Sequence, residues 1–169
     1  MKHIGLLSDT HGFLDPKVFK YFENCDEIWH AGDVGTEDIL TQLSAFKPLK
    51  AVYGNIDGGS VRLSLPEDLN FDCEGLKIYM THIGGSPGKY NARVKKIIQE
   101  AKPDIFICGH SHILKVISDP VYKPLLYLNP GAAGVHGFHQ IQTLLRFKIE
   151  NGKLSEMQVI ELGKRSTAI

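Results

Sequence analysis

The chain has 169 residues, 43% of them hydrophobic and 22% charged, which is the size and balance of one globular domain spanning residues 1–169. Lys plus Arg and Asp plus Glu both number 19. There is no basic excess of the kind a general nucleic-acid binder carries, so nucleic acid is not an expected partner.

The first apolar run, Ile4–Leu7, reads as a strand, and Asp15 and Pro16 then open a helical pattern to Asn24 with Val18, Phe19 and Phe22 on one face. A second strand signal, Glu27–His30, is followed by a helical stretch from Thr36 to Phe46, with Thr36 as its cap and Ile39, Leu40 and Leu43 at helical spacing. Leu49–Tyr53, Leu76–Thr81 and Asp104–Cys108 are further strand signals, and Tyr90–Ala101 is a third helix ending before Pro103. Strand and helix alternate through Cys108, so a mostly parallel sheet is expected there. Beyond it, Leu114–Ser118, Leu125–Leu128, Ile141–Glu150 and Leu154–Leu162 succeed one another as strands, and Asn151-Gly152 is a hairpin signal. These should form a second, more antiparallel sheet packed on the first, giving an α/β sandwich of two sheets.

The residues just past each early strand carry the chemistry. Asp9-Thr10-His11-Gly12 stands after the first, Gly32-Asp33 after the second, Gly54-Asn55-Ile56-Asp57 after the third, His82 after the fourth and Gly109-His110-Ser111-His112 after the fifth. In open α/β sheets the ligand site lies beyond the carboxyl ends of the strands. If the five strands are parallel neighbours, Asp9, His11, Asp33, Asn55, His82, His110 and His112 converge on one edge. The adjacent glycines allow tight turns and close backbone approach. A single Asp at a strand end is more often a turn former than a ligand, and a single His is more often a satisfied semi-buried residue. Five such positions at five strand ends weigh against that bland reading. Two carboxylates, one amide and four imidazoles exceed what one divalent ion needs. They suit two ions sharing a carboxylate, and this donor set favours Mn, Fe or Zn over Ca. Paired ions can clamp the attacking and leaving oxygens of a displacement at phosphorus.

In this order the strings Asp9-Thr10-His11-Gly12, Gly32-Asp33, Gly54-Asn55-x-Asp57, His82 and Gly109-His110-Ser111-His112 resemble the calcineurin-like metallophosphoesterases. The chain is most similar to their small, single-domain prokaryotic phosphodiesterases, whose late Leu128-Asn129-Pro130-Gly131 turn it shares. The resemblance implies a four-layer fold, two mixed β-sheets packed as a sandwich flanked by helices. It implies that Asp9, His11, Asp33 and His112 hold one metal and Asp33, Asn55, His82 and His110 the other, with Asp33 bridging. A metal-bridging hydroxide would then attack a small phosphodiester, with Asn55 and His82 at the reacting phosphate. Manganese is the expected metal, with iron, zinc, nickel and cobalt as alternatives. Many members carry a histidine after the Gly-Asn pair that protonates the leaving group. Here that place is Ile56, so the resemblance leaves the acid unassigned. Asp57 is expected behind the ligands, orienting one of them. His30 is a candidate for a similar place, while His3 reads as structural. His136 and His139, in the glycine-rich loop after Pro130, are spare candidates for substrate contact.

Three other functions compete. A scaffold without metal chemistry uses this fold in the retromer subunit, but that subunit lacks several of the ligand histidines. A nuclease like the larger repair relatives would carry the missing leaving-group histidine and extra domains. A phosphomonoesterase would bring extra cations to the site, for which Arg62 and Lys89 are the candidates. The basic stretch Lys89–Lys96 reads first as a solvated helix face. Cys25, Cys73 and Cys108 are odd in number and contain no C-x-x-C pair, which fits a reducing compartment. No run approaches the ~20 apolar residues of a membrane span, and the first apolar run is too short for a signal peptide. A cytoplasmic protein is therefore expected. A homodimer is expected because many members of the family self-associate.

Overall fold

A computed structural model describes residues 1–165. In chain order the elements are β1 (Lys2–Leu7), α1 (Lys17–Tyr21), β2 (Glu27–His30), α2 (Glu37–Phe46), β3 (Leu49–Ala51), α3 (Gly59–Ser64), β4 (Asp68–Cys73), β5 (Leu76–Thr81), α4 (Ala92–Ala101), β6 (Ile105–Ile107), β7 (Lys115–Ser118), β8 (Leu126–Asn129), β9 (Ile141–Glu150) and β10 (Lys153–Lys164). They make two five-stranded sheets, ordered β10-β9-β1-β2-β3 and β4-β5-β6-β8-β7.

Both sheets are mixed. β1, β2 and β3 run parallel, and β9 joins β1 antiparallel with Lys2 opposite Ile149. In the other sheet β5, β6 and β8 run parallel, while β4 and β7 flank them antiparallel. This corrects two expectations. The site-bearing strands are not five neighbours in one sheet but split three and two between the sheets. Nor does the C-terminal part of the chain form the second sheet. The β9–β10 hairpin returns to complete the first sheet, while β7 and β8 complete the second.

Apolar side chains on the facing sides of the sheets form the central core, including Ile4, Leu6 and Trp29 from one sheet and Ile78, Met80 and Ile107 from the other. Trp29 joins the layers. Its ring meets Phe71 of β4 edge-on at 5.0 Å and Phe147 of β9 at 5.8 Å, contacts worth about 0.5–1.5 kcal/mol each beyond the area they bury. Alternate residues face outward. Leu7 and Ile28 pack with Val18 and Phe22 around α1 and with Ile39 and Leu43 of α2. Tyr79, Phe106 and Tyr127 pack with Val94 and Ile98 of α4. The layers are helix, sheet, sheet, helix.

Local signals explain most boundaries. Asn151 and Gly152 both have positive φ, at 50° and 72°, and turn β9 into β10 as a two-residue hairpin requires. Asn91 caps α4 by accepting the Val94 amide at 2.9 Å, so the helix begins two residues after the expected start at Tyr90. α1 is shorter than the Pro16–Asn24 pattern. Asp15 does not cap it in the usual register, although its carboxylate accepts the Lys17 amide at 2.9 Å. Thr36 precedes α2 without a side-chain capping bond. Among the described residues no helix is long and apolar enough to cross a membrane.

Candidate metal centre

The loops after β1 and β2 lie side by side because strand pairing continues past the strand ends. Asp9 N donates to Gly32 O at 3.0 Å, His11 N to Asp33 O at 3.0 Å and Gly12 N to Val34 O at 2.9 Å. On the second sheet Gly109 N donates to His82 O at 3.1 Å, bringing the loops after β5 and β6 together. The two sheets meet at this edge, where His110 N donates to Asp9 Oδ2 at 3.2 Å.

Two clusters result. Ligand atoms of Asp9, His11 and His112 form one group and those of Asp33, His82 and His110 the other, with the atoms of each group within 4.8 Å of one another. Asp33 Oδ2 faces both, 3.4 Å from His11 Nε2 and 3.2 Å from His82 Nε2. Asp9 Oδ1 lies 3.1 Å from His112 Nε2 and 3.7 Å from His11 Nε2. Asn55 reaches the second cluster, its Oδ1 2.9 Å from His110 Nδ1. All seven candidate ligands therefore converge, although on an edge built from two sheets.

The chemistry of these atoms supplies a direct test of fit to a cation. Asp9 Oδ1, His11 Nε2 and His82 Nε2 are buried and have no hydrogen-bond partner. A buried polar atom left unsatisfied costs about 1–3 kcal/mol, so three pointing into one space need an explanation. The other atoms of these groups are held. Asp9 Oδ2 accepts Ser8 Oγ at 2.6 Å, and Asp33 Oδ1 accepts the Ile56 amide at 3.0 Å. His82 Nδ1 donates to Ala31 O at 2.8 Å, a carbonyl that can only accept. In the neutral ring, the form that binds a cation, that bond leaves the His82 Nε2 lone pair facing inward. The arrangement fits divalent cations, which take carboxylate oxygens and neutral imidazole nitrogens.

Ionisation follows the same geometry. Burial pushes the Asp9 carboxyl up, but His11, His112 and His82 hold it well below the usual carboxylate range. Burial likewise opposes ionisation of Asp33, and His82 overcomes it. Burial works against protonation of His82, yet the two carboxylates raise its pKa. His110 is shifted down by burial and by the nearby His82.

The backbone at the site is unusual. Asp9, His11, Asp33, His110 and His112 all have positive φ, between 47° and 67°, and account for five of the nine such non-glycine residues among those described. Asp and His tolerate this region better than most residues, and clusters of such conformers mark functional sites. Gly54 is required where it stands. A Cβ there would lie 2.0 Å from Asp33 Oδ1 and 2.4 Å from its amide.

Asp57 and His30 lie behind the ligands, and among the described residues their side chains hydrogen-bond to no candidate ligand side chain. The Asp57 carboxylate accepts the amides of Val34, Gly35 and Gly54 at 3.0, 2.8 and 2.8 Å. His30, with its pKa pushed down to about 4 by complete burial, accepts the Gly32 amide on Nδ1 at 3.1 Å and therefore presents Nε2–H to Thr10 Oγ1 at 3.0 Å. His3 lies at the far end of β1, its amide bonded to Asp26.

Sequence reasoning missed two features. One is a cavity of about 140 Å³ beside Asn55 and His82, lined also by Tyr53, Arg62, Ile83 and Arg93. Arg93 is neutralised there by Asp68 at 2.6 Å. Arg62 lies over the Tyr53 ring at 4.2 Å and pairs with no carboxylate among the described residues. A Tyr-x₈-Arg spacing across a turn carries no readable signal, so only the fold reveals the pair. Lys89 lines a different cavity, on the other side of His110. The other is the role of Asn129, read from the sequence only as part of the Leu128-Asn129-Pro130-Gly131 turn: its amide donates to Gly109 O at 3.0 Å and Ser111 Oγ at 3.1 Å, holding the turn that carries His110 and His112.

Residues 1–152 match the family model described as the calcineurin-like phosphoesterase superfamily domain. The chain is 30% identical over 167 residues to a probable metallophosphoesterase of Methanothermobacter thermautotrophicus, covering 95% of this chain and 92% of that one. Its fold is similar to that of a conserved uncharacterized protein and predicted phosphoesterase of Streptococcus pneumoniae, with a TM-score of 0.69, 20% identity and coverage of 95% and 97%. It is also similar to the fold of Vps29 of Entamoeba histolytica crystallised with zinc, with a TM-score of 0.69, 17% identity and coverage of 95% and 98%. With that match over 152 residues and two groups of metal-capable side chains in place, the chain belongs to the calcineurin-like phosphoesterase superfamily.

Proposed function

We propose that the protein hydrolyses phosphodiesters at a dinuclear metal centre in which Asp9, His11, Asp33 and His112 hold one divalent cation and Asp33, Asn55, His82 and His110 the other. The observation that carries the proposal is the trio of buried, unpartnered atoms, Asp9 Oδ1, His11 Nε2 and His82 Nε2, with Asp33 Oδ2 placed between the two groups. The ligands mix imidazole and carboxylate without thiolate, which suits manganese, the expected metal, and equally iron, zinc, nickel or cobalt.

A pair of divalent cations supplies positive charge where attacking and leaving oxygens become negative and makes water acidic enough to ionise near neutrality. The chain's own residues do the rest. Asn55 sits at the mouth of the cavity and presents its amide to a phosphoryl oxygen. Arg62, which pairs with no carboxylate among the described residues, lines the same cavity, as do Arg93 and Glu67. Ile56 is half exposed and transfers no proton, so the reaction favours diesters whose leaving group is already acidic.

A scaffold role is the second reading, and one observation favours it. β7 is an edge strand exposed along its whole length, with Val116, Ile117 and the nearby Val121 open to solvent. Assay of bis-p-nitrophenyl phosphate and p-nitrophenyl phosphate with and without Mn²⁺ tests the leading reading. Mn²⁺-dependent turnover of the diester, preferred over the monoester and abolished in Asp33→Asn, is expected. Absence of any metal-dependent turnover would leave the scaffold.

A further inference from the structure

His112 carries one face of the first cluster, and a loop outside the family's ligand strings fixes how it faces. Residues 132–134 are tied to the end of β1 by Ala133 N to Ser8 O at 2.9 Å and Gly134 N to Asp9 O at 3.1 Å. From that anchor the loop folds over His112. Gly137, at φ 130°, lies so close that a Cβ on it would stand 2.2 Å from His112 Nδ1. His139 meets the same ring edge-on at 5.1 Å, with the two Nδ1 atoms 3.2 Å apart.

Two ring nitrogens facing each other do not by themselves say which one donates, but the other end of His139 does. Its Nε2 lies 2.8 Å from Gly134 O, and a carbonyl can only accept. In the neutral ring His139 Nε2 therefore carries the proton, its Nδ1 is a lone pair, and His112 Nδ1–H is the donor between the rings. This leaves the lone pair of His112 on Nε2, the atom 3.1 Å from Asp9 Oδ1. The chain Gly134 O, His139, His112 thus sets the tautomer and tilt of a ligand from behind, the task usually given to a carboxylate or a backbone carbonyl.

We infer that His139 is a positioning residue for the first metal site, locking His112 with Nε2 toward the cation through the hydrogen bond between their Nδ1 atoms. The inference rests on the dinuclear reading and adds a residue to it. Loss of such an outer partner weakens metal binding by about 10- to 100-fold. The second site, built from Asp33, Asn55, His82 and His110, shares no hydrogen bond with the His139 side chain and should keep its affinity.

The test is Mn²⁺ binding by titration calorimetry and metal analysis on the full chain, comparing wild type, His139→Phe and His139→Asn. The Asn side chain can place Oδ1 where His139 Nδ1 stands and accept the same proton. Wild type is expected to take up two ions. His139→Phe should lose affinity by 10-fold or more at one site only, and retention of the other ion shows that the variant is folded. His139→Asn should recover most of the loss. In the zinc-loaded wild type, long-range ¹H–¹⁵N spectra should show His112 protonated at Nδ1. Two ions held with wild-type affinity by His139→Phe, or His112 protonated at Nε2, overturns the assignment to His139 while leaving the dinuclear reading intact. No uptake by wild type sinks that reading and this one together.

Discussion

Asp57 Oδ2 accepts the Val34 amide at 3.0 Å, tying the loop that carries Asp33 to the loop that carries Asn55. The same carboxylate binds the Gly35 and Gly54 amides, so one side chain satisfies three backbone donors from two loops. Asp57→Ala leaves those donors without a partner and should destabilise the protein by roughly 2–4 kcal/mol. Urea unfolding should show a lower midpoint with an unchanged slope. Mn²⁺ affinity should fall as well, because both loops lose their common anchor. A variant with wild-type stability would show that water replaces the carboxylate.

Metal removal should weaken the fold. Asp9 and Asp33 bring two carboxylates to one edge, and a cation that binds only the folded chain stabilises it by about 2.7 kcal/mol per site at 100 times its dissociation constant. For a chain of this size each kcal/mol moves Tm by about 2–4 °C. Chelation should therefore lower the melting temperature by about 5–10 °C for each site emptied. Differential scanning calorimetry with and without EDTA measures the shift, and Asp33→Asn should abolish it.

Glu27 gives the stability a defined acid limb. It is buried at the start of β2 and binds Lys2, Lys50 at 2.8 Å and Trp29 Nε1 at 3.0 Å. Burial alone would raise its pKa, but the two ammonium groups and the indole bring it from 4.5 down to about 2. The folded value is depressed, so the unfolded chain binds more protons between these limits. The contribution is complete above pH 4.5 and is lost as pH falls toward 2. Glu27→Gln should be less stable than wild type at about pH 6, and the gap should narrow on acidification. A gap constant from about pH 6 to about pH 3 would deny the carboxylate this role.

Gly5 and Gly58 should respond oppositely to alanine. A Cβ on Gly5 would stand 2.7 Å from the fully buried Phe22 ring, which has no room to withdraw. Gly5→Ala should cost about 1–3 kcal/mol through overpacking. Nothing lies within 4 Å of a Cβ on Gly58, whose φ of −132° suits any residue. Thermal melts should place Gly58→Ala within about 0.5 kcal/mol of wild type.

The ligand loops are legible in the sequence because a metal site imposes residue types, Asp and His beside glycine, at places the hydrophobic pattern marks as strand ends. Sheet membership is not. Nothing local in Ile141–Glu150 says that it pairs with Lys2–Leu6, a contact made across most of the chain. β4 escapes the pattern although Leu69, Phe71 and Cys73 alternate and Glu74-Gly75 turns the chain into β5. Its polar alternate positions, Asp68, Asn70 and Asp72, hide a strand with one face exposed. α3 is a turn and a half with two glycines at its start, too short for a helical period to show. His139 reads from the sequence as a loop histidine and a spare candidate for substrate contact, not as the partner of a ligand. Its partner lies 27 positions away, and the proton that defines its role is assigned by a carbonyl that no motif encodes.

The left-handed backbone at Asp9, His11, Asp33, His110 and His112 has an evolutionary consequence. Each costs about 1–2 kcal/mol relative to a right-handed residue, a burden that bound cations can offset and that selection for activity must otherwise sustain. Exchanging any of them for glycine should relieve strain and remove a candidate metal ligand in the same step. Stability and cation binding therefore pull in opposite directions at these five positions, and a chain released from the second demand is expected to gain in the first.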